Sequence, residues 1–194
     1  MISKGDTLYN PVTGERMTFL ETAAETNGEH VLIELRSDPG GFVAAAHVHP
    51  SQVEVFEVVT GRIGLKVDGE KMEAGAGETV VVEAGQAHKW WNAGPGELVF
   101  RCKVSPALEF ESLIETMFAL AADGKTNRKG MPNPFRLAVI ANAHFQTVQL
   151  PVVPAWMQKA ALAMGAPVGR AMGYGPTYQR EANAAKPTFV PTTA

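Results

Sequence analysis

Three histidines and one glutamate have the residue types and the spacing of a metal site. His47 and His49 are two residues apart, so both imidazoles point to one face if this stretch is a β-strand. Glu54 follows a possible turn at residues 50–51, and we expect it to face the two histidines across a hairpin. His88 supplies a third imidazole after a glycine turn, at the start of another predicted strand. Imidazoles with one carboxylate suit Fe, Mn, Co, Ni, Cu or Zn rather than Ca or Mg, so one divalent transition metal ion is the expected cofactor.

Other candidate ligands fit this pattern less well. Glu57 is the alternative carboxylate, but its position relative to Glu54 places it on the opposite face of a strand. His30 and His144 lie outside the two stretches that hold the candidates, and we interpret each as a structural or exposed histidine. The predicted metal ligands are therefore His47, His49, Glu54 and His88.

The part of the chain that must position these side chains has the pattern of short β-strands. From about residue 7 to residue 105, turns that contain glycine recur at intervals of roughly ten residues, as in all-β sandwiches and barrels. Residues 63–67 alternate between apolar and other side chains and end at Asp68-Gly69, which is a strong signal for a hairpin turn. This pattern predicts an antiparallel β-barrel.

The periodicity becomes helical from about residue 106. Apolar residues at spacings of three and four over residues 110–121 predict a helix that Gly124 ends. The sequence Pro-Asn-Pro at 132–134 starts a second helix. A third helix is predicted at about 154–164, where the glycine and the proline that follow should end it.

These two patterns divide the chain into two parts. Residues 1–105 are the predicted barrel domain, and residues 106–194 are a helical extension that packs on the barrel or on a partner subunit. Residues 152–172 are apolar enough for a helix on a membrane surface. Lys159 and Arg170 are the only positive charges there, so we favour packing against protein over that alternative.

The two stretches around the candidate ligands resemble the paired motifs of the cupin superfamily. The first motif consists of glycine, five residues, His-x-His, three or four residues, glutamate, six residues and glycine, and its counterparts here are Gly41, His47, His49, Glu54 and Gly61. The second consists of glycine, five residues, Pro-x-Gly, two residues, histidine, three residues and asparagine, and its counterparts here are Gly77, Gly85, His88 and Asn92. Glu83 stands where the family has proline, a departure that could alter the turn but removes no ligand.

This resemblance implies a fold, an assembly and a role for one residue. The expected fold class is all-β: a cupin-like jelly-roll β-barrel with a metal at its centre and an appended α-helical C-terminal segment. Cupin barrels are often dimers, so a homodimer is expected. In flavonol-cleaving dioxygenases, whose motif pair is similar, the glutamate takes the hydroxyl proton of the substrate. Glu54 is thus the candidate catalytic residue as well as a ligand.

Strand parity identifies the side chains that would surround the metal. Phe56 shares a face with Glu54, and Trp90 shares a face with His88, whereas Trp91 points outward. The predicted wall of the substrate pocket consists of Val43, Ala45, Phe56, Trp90 and Phe100. These side chains either bind a hydrophobic or aromatic small molecule or simply fill the interior of the barrel.

The composition excludes several other kinds of partner. A net charge of -3 and a pI near 6.0 provide no basic surface for nucleic acid. The single cysteine, Cys102, excludes an intrachain disulfide bond and suits a reducing compartment. We see no signal peptide and no apolar run long enough for a transmembrane helix, so we expect no membrane span and a cytoplasmic location.

Three functions are compatible with these residues. The first is a metal-dependent dioxygenase-type oxidoreductase that acts on a hydrophobic or aromatic small molecule. The second keeps the metal but is an isomerase, a cyclase or a lyase. The third is a non-enzymatic small-molecule-binding cupin. Metal identity and oxygen uptake separate the first two, and a pocket fully packed with side chains would favour the third. We expect an enzyme of the first kind.

Overall fold

The structure is a computed structural model that describes residues 2–179, in which ten β-strands precede three α-helices. The strands are β1 (Thr7–Asn10), β2 (Glu15–Glu21), β3 (Val31–Ser37), β4 (His47–Val48), β5 (Val53–Thr60), β6 (Arg62–Val67), β7 (Glu70–Gly75), β8 (Thr79–Val82), β9 (Ala87–Asn92) and β10 (Leu98–Ser105). The helices are α1 (Phe110–Ala122), α2 (Pro134–Ala143) and α3 (Ala155–Ala171).

The strands form two antiparallel sheets that face each other. The larger sheet has the strand order β1-β2-β3-β10-β5-β8, and the smaller has the order β4-β9-β6-β7. In β10, Phe100, Cys102 and Val104 are buried, whereas Arg101 and Lys103 point to solvent. This alternation is the one expected of a strand with a single buried face.

Aromatic and aliphatic side chains from both sheets meet in one core. The rings of Trp90, from the smaller sheet, and Phe100, from the larger, have centroids 5.1 Å apart. Ile63 and Leu65 of β6 and Phe56 of β5 belong to the same buried cluster. The predicted fold class, an all-β jelly-roll barrel with appended helices, is therefore confirmed.

The hairpin that the sequence predicts at Asp68-Gly69 is present between β6 and β7. Asp68 has a φ of 48° and Gly69 a φ of 95°, so both residues lie in the left-handed region that a tight turn between twisted strands requires. The strands on either side pair in register from Val67 with Glu70 to Arg62 with Gly75.

The prediction that the third helix ends near residue 164 is wrong, because α3 continues to Ala171. Its glycines permit close packing on α2 rather than ending the helix. A Cβ atom at Gly165 would lie 3.1 Å from the Cβ of Ala138, and one at Gly169 would lie 2.4 Å from the carbonyl oxygen of Phe135. Contact with α2 therefore outweighs the local tendency of glycine and Pro167 to interrupt a helix.

The helices follow the barrel directly. β10 ends at Ser105, and α1 begins at Phe110 and packs against β1. The division at 105/106 into two domains stays a prediction, and the last part of the predicted extension, residues 180–194, lies outside the described residues. Within residues 2–179, no helix combines the length and the apolar character needed to cross a membrane.

Candidate metal centre and cavity

The structure brings the four predicted ligands together inside the barrel. His47 of β4 and His88 of β9 are direct partners in the smaller sheet, and His49 follows β4 by one residue. Glu54 lies on β5 of the larger sheet, where its side chain is buried. One donor atom from each of the four residues can be chosen so that all lie within 4.8 Å of one another.

Glu54 reaches the histidines from the opposite sheet, not through a hairpin as the sequence suggested. β4 pairs with β9 and β5 pairs with β10 and β8, so the chain crosses between sheets at residues 49–52. Gln52 anchors this crossing, because its buried side chain donates to the carbonyl oxygens of Pro106 (2.8 Å) and Ala107 (3.1 Å). The turn at residues 50–51 is thus a connection between layers of the barrel.

Main-chain carbonyl groups orient all three imidazoles. The Nδ1 atoms lie within hydrogen-bond distance of carbonyl oxygens as follows: His47 with Ala45 (2.9 Å), His49 with Thr147 (2.6 Å) and His88 with Gln86 (3.1 Å). A carbonyl can only accept, so each Nδ1 carries the proton and each Nε2 has a free lone pair in the neutral form. This tautomer is the one that a metal-binding histidine needs.

The buried donor atoms of the cluster lack hydrogen-bond partners among the described residues. This holds for His49 Nε2, Glu54 Oε2 and His88 Nε2. His88 Nε2 and Glu54 Oε2 are 2.7 Å apart but are not aligned as a hydrogen bond, and His49 Nε2 is 3.6 Å from Glu54 Oε1. Buried polar atoms without partners are costly, and a cation at their centre would satisfy them together. The donor set therefore fits a divalent transition metal ion.

The electrostatics of the cluster keep the carboxylate ionised. Burial opposes this, but the three neighbouring histidines, His49 foremost, lower the pKa of Glu54 to about 2. Burial and the nearby imidazoles lower the pKa of His47 to about 3. Burial also disfavours the charged form of His88, yet the Glu54 carboxylate outweighs it and raises the pKa of His88. A proton would therefore compete with a metal ion for His88.

A cavity of about 620 Å³ has the four candidate ligand residues in its lining. Its wall includes all five predicted pocket residues, Val43, Ala45, Phe56, Trp90 and Phe100. The helical extension covers the other side with apolar side chains that include Leu113, Met117, Leu137 and Leu162. The aromatic residues of this wall also pack the barrel, because Phe56 and Phe100 are almost fully buried.

Residues 34–103 match the family model described as Cupin domain. This part of the chain is a cupin domain. The match begins within β3 and ends within β10. It contains all four candidate ligands and the whole of strands β4 to β9.

Solved structures with a similar fold include three from bacteria. An uncharacterized conserved protein with a double-stranded β-helix domain from Klebsiella pneumoniae is 22% identical and has a TM-score of 0.42, over 56% of this chain and 84% of that chain. A predicted oxalate decarboxylase from Thermotoga maritima is 20% identical with a TM-score of 0.47, over 55% and 99% of the two chains. KdgF from Halomonas sp. is 18% identical with a TM-score of 0.47, over 57% and 94%. No curated protein matches the sequence.

The motif positions of this cupin domain have identifiable structural reasons. Gly61 has a φ of 83°, and a Cβ atom there would lie 2.7 Å from the carbonyl oxygen of Glu97. Glu83 stands at the position of the family's proline, and its main-chain N–H donates to Gln86 Oε1 (2.9 Å). Proline has no N–H, so it could not close the turn with this hydrogen bond. Gly85 N–H donates to the carbonyl of His49 (2.8 Å), so this turn also supports a candidate ligand.

The helical extension is connected to the metal centre by residues 147–149, which we call the strap. The N–H and C=O groups of Gln149 both pair with those of Val48, each at 2.9 Å. The carbonyl of Thr147 accepts the hydrogen bond from His49 Nδ1 already described. Sequence reasoning missed the strap because a backbone carbonyl has no side-chain signature. The extension therefore positions a candidate ligand of the cupin barrel as well as covering the cavity.

Other titratable side chains lie where the patterns placed them. Glu57 is exposed on the outer face of β5. His30 Nε2 is 2.6 Å from Glu21 Oε2, and His144 is buried, with Nδ1 2.9 Å from the carbonyl oxygen of Ile140. Neither histidine is part of the cluster.

One buried side chain beside the cluster adds to its surroundings. The Sγ of Cys102 lies 3.9 Å from Glu54 Oε1, and burial followed by the Glu54 charge raises the pKa of this thiol well above its usual value. Cys102 is therefore a neutral thiol that donates to Glu54.

Proposed function

We propose that this cupin is a metal-dependent dioxygenase-type oxidoreductase that acts on a hydrophobic or aromatic small molecule. The metal ligands in this proposal are His47, His49, Glu54 and His88. The observation that carries the proposal is the cavity of about 620 Å³, whose lining combines these four residues with an apolar wall. A fully packed interior would instead have favoured a binding module without a substrate site.

The cavity wall would hold and desolvate the substrate. Phe56, Trp90 and Phe100 are buried aromatic side chains in the cavity wall, and an apolar wall of this kind suits an apolar or aromatic molecule. The apolar helix side chains on the other side would displace water around a bound substrate, which would strengthen electrostatic interactions at the reacting atoms. A divalent transition metal ion bound by the four ligands would supply Lewis-acid and redox chemistry towards oxygen-containing groups.

Glu54 is proposed as the group that accepts the hydroxyl proton of the substrate. Its pKa of about 2 means that it is a carboxylate at neutral pH. The Cys102 thiol donates to Oε1, while Oε2 has no hydrogen-bond partner among the described residues. Oε2 is therefore the atom that can receive the proton.

We also propose that the chain forms a homodimer and acts in the cytoplasm. Trp156 and Met164 of α3 are 71% and 73% exposed, and large exposed apolar side chains on one helix are typical of an interface. The single, buried, unpaired thiol of Cys102 suits a reducing compartment. Light scattering of wild type and W156E tests the dimer: we expect a dimer that the variant converts to monomer. A monomeric wild type that binds lipid vesicles would instead identify α3 as a membrane-surface helix.

The function is tested by metal analysis and oxygen uptake. Protein purified without added metal should contain about one transition metal ion per chain, and it should consume oxygen with a flavonol or a diketone. Glu54→Gln should retain at least part of the metal and lose turnover, whereas the matched control Glu57→Gln, on the outer face of the same strand, should retain both.

Three results would contradict the proposal. Absence of stoichiometric metal would remove its basis, and full turnover by a metal-loaded Glu54→Gln protein would exclude Glu54 as the proton acceptor. Bound zinc with no oxygen uptake on any of these substrates would replace the oxidoreductase by an isomerase, cyclase or lyase.

A further inference from the structure

A second buried carboxyl group lines the cavity and takes no part in the metal centre. Glu15 is the first residue of β2 and is only 5% exposed. Its side chain borders the cavity together with Asn10 and Met17. Since Glu15, Met17 and Phe19 alternate along β2, all three point to the interior of the barrel.

The strand register places Glu15 far from the metal ligands. Phe19 is level with Ile33, and Ile33 is level with Cys102, whose Sγ is 3.9 Å from Glu54 Oε1. Glu15 precedes Phe19 by four residues on the same strand, which is about 13 Å at 3.3 Å per residue. The cavity therefore has the metal donors at one end and a single carboxyl group towards the other.

The surroundings of Glu15 satisfy only part of its hydrogen-bonding capacity. The Thr13 hydroxyl donates to Oε2, and Thr13 is itself held by its main-chain N–H, which donates to Asn10 Oδ1 (3.3 Å). Among the described residues, no cation pairs with Glu15 and no second side chain hydrogen-bonds it. Oε1 is thus available to a molecule in the cavity.

The fold gains little from a carboxyl group at this position. Burial raises the pKa of Glu15 to about 7, against the smaller opposing effect of the Thr13 hydroxyl. A buried carboxyl group without a charged partner is unfavourable, and an amide could accept the same hydrogen bond from Thr13. At neutral pH the group is partly protonated, so it can both donate to and accept from a ligand hydroxyl.

We propose that Glu15 is a specificity-determining residue that hydrogen-bonds a hydroxyl group at the remote end of an elongated, otherwise apolar substrate. The opposite end of that substrate carries the oxygen atoms that reach the metal centre. This inference rests on the proposed function, because it takes the cavity as the substrate site. It narrows the substrate class to molecules with oxygen functions at both ends of an apolar body.

Two flavonols that differ in one hydroxyl group provide the test. 3-Hydroxyflavone offers oxygen atoms at one end, and 3,4′-dihydroxyflavone adds a hydroxyl group on the remote ring. Affinities are measured by fluorescence titration of the full-length, metal-loaded protein without oxygen, so that no turnover occurs. Wild type should bind the dihydroxy compound at least tenfold more tightly than the monohydroxy compound.

Variants at residue 15 assign this preference to the carboxyl group. Glu15→Met, which has similar volume and no polar atom, should reduce the ratio of affinities to about one and leave the affinity for 3-hydroxyflavone within threefold of wild type. Glu15→Gln should retain part of the preference, since an amide can still hydrogen-bond the hydroxyl. Glu57→Gln, on the outer face of β5, should retain all of it. Circular dichroism checks that each variant is folded. If Glu15→Met does not fold, a Glu15→Gln protein that keeps the full preference overturns the inference.

The inference is overturned if wild type does not discriminate between the two flavonols, if neither binds, or if Glu15→Met keeps the full preference. Failure of the proposed oxidoreductase would be recognised separately. In that case the difference in affinity would be present without oxygen uptake on either compound.

Discussion

Replacing Glu15 by glutamine should remove a pH-dependent loss of stability. The pKa of this carboxyl group is raised from 4.5 to about 7 in the folded protein. Between these two values the unfolded chain releases the proton while the folded chain keeps it, so the free energy of unfolding falls as pH rises. At about one pH unit above the folded-state pKa both states are ionised and the loss is nearly complete. A shift of this size corresponds to about 3 kcal/mol.

Glutamine cannot ionise but can still accept the hydrogen bond from Thr13. The Glu15→Gln variant should therefore match wild type near pH 4.5 and exceed it by about 3 kcal/mol at pH 8. Because burial is the main cause of the shift, the whole difference should appear between pH 4.5 and pH 8. The pH at which the difference rises reports the pKa values of the folded and unfolded states.

The measurement is urea unfolding, followed by tryptophan fluorescence in half-unit steps of pH, with both proteins in the same metal state. The titration of the histidine cluster is common to both proteins and cancels in the difference. Glu57→Gln is the control, since its side chain is exposed, and it should show no comparable pH-dependent gain. A constant difference between Glu15→Gln and wild type across the range, or a variant that is less stable at pH 8, would refute the reasoning.

Three further predictions concern the strap, the helices and the metal. Gln149→Pro removes the N–H that pairs with Val48 and should weaken metal binding by roughly 10- to 100-fold, measured by chelator competition. Gln149→Ala keeps that N–H, so its metal affinity should stay within threefold of wild type. Gly169→Ala places a Cβ atom 2.4 Å from a carbonyl oxygen of α2 and should lower the free energy of unfolding by about 1–3 kcal/mol, while Gly96→Ala, with open space around it, should change it little. Removing the metal with a chelator should lower the free energy of unfolding of wild type by about 2.7 kcal/mol relative to protein with free metal at 100 times its Kd. The same treatment should change His88→Ala by almost nothing, and an equal loss in both proteins would contradict the assigned site.

The cluster of candidate ligands was accessible from the sequence because strand parity is strict. Residues two apart on a strand share a face, so His47 and His49 could be paired and Glu57 separated from Glu54 without coordinates. The same rule could have identified Glu15, which precedes Met17 and Phe19 on one face of β2. A single carboxyl group in an apolar alternation gives a weak signal unless the strand is already assigned.

What the sequence could not provide depends on contacts between distant segments. A turn at residues 50–51 is compatible with a hairpin or with a crossing between sheets, and only the pairing of β4 with β9 decides between them. The end of α3 depends on how closely α2 approaches it. Gly165 and Gly169 permit this close approach, but glycine in the sequence does not predict it. Tertiary packing overrides local propensity in such cases.

The strap has a consequence for how this protein can diversify. The strap uses only its own main-chain atoms in both connections, to the main chain of Val48 and to the side chain of His49. Side chains of the extension can therefore be replaced, and the shape of the cavity altered, without changing the group that fixes the tautomer of His49. Selection for a new substrate can act on the helices while the reacting end of the cavity is inherited unchanged.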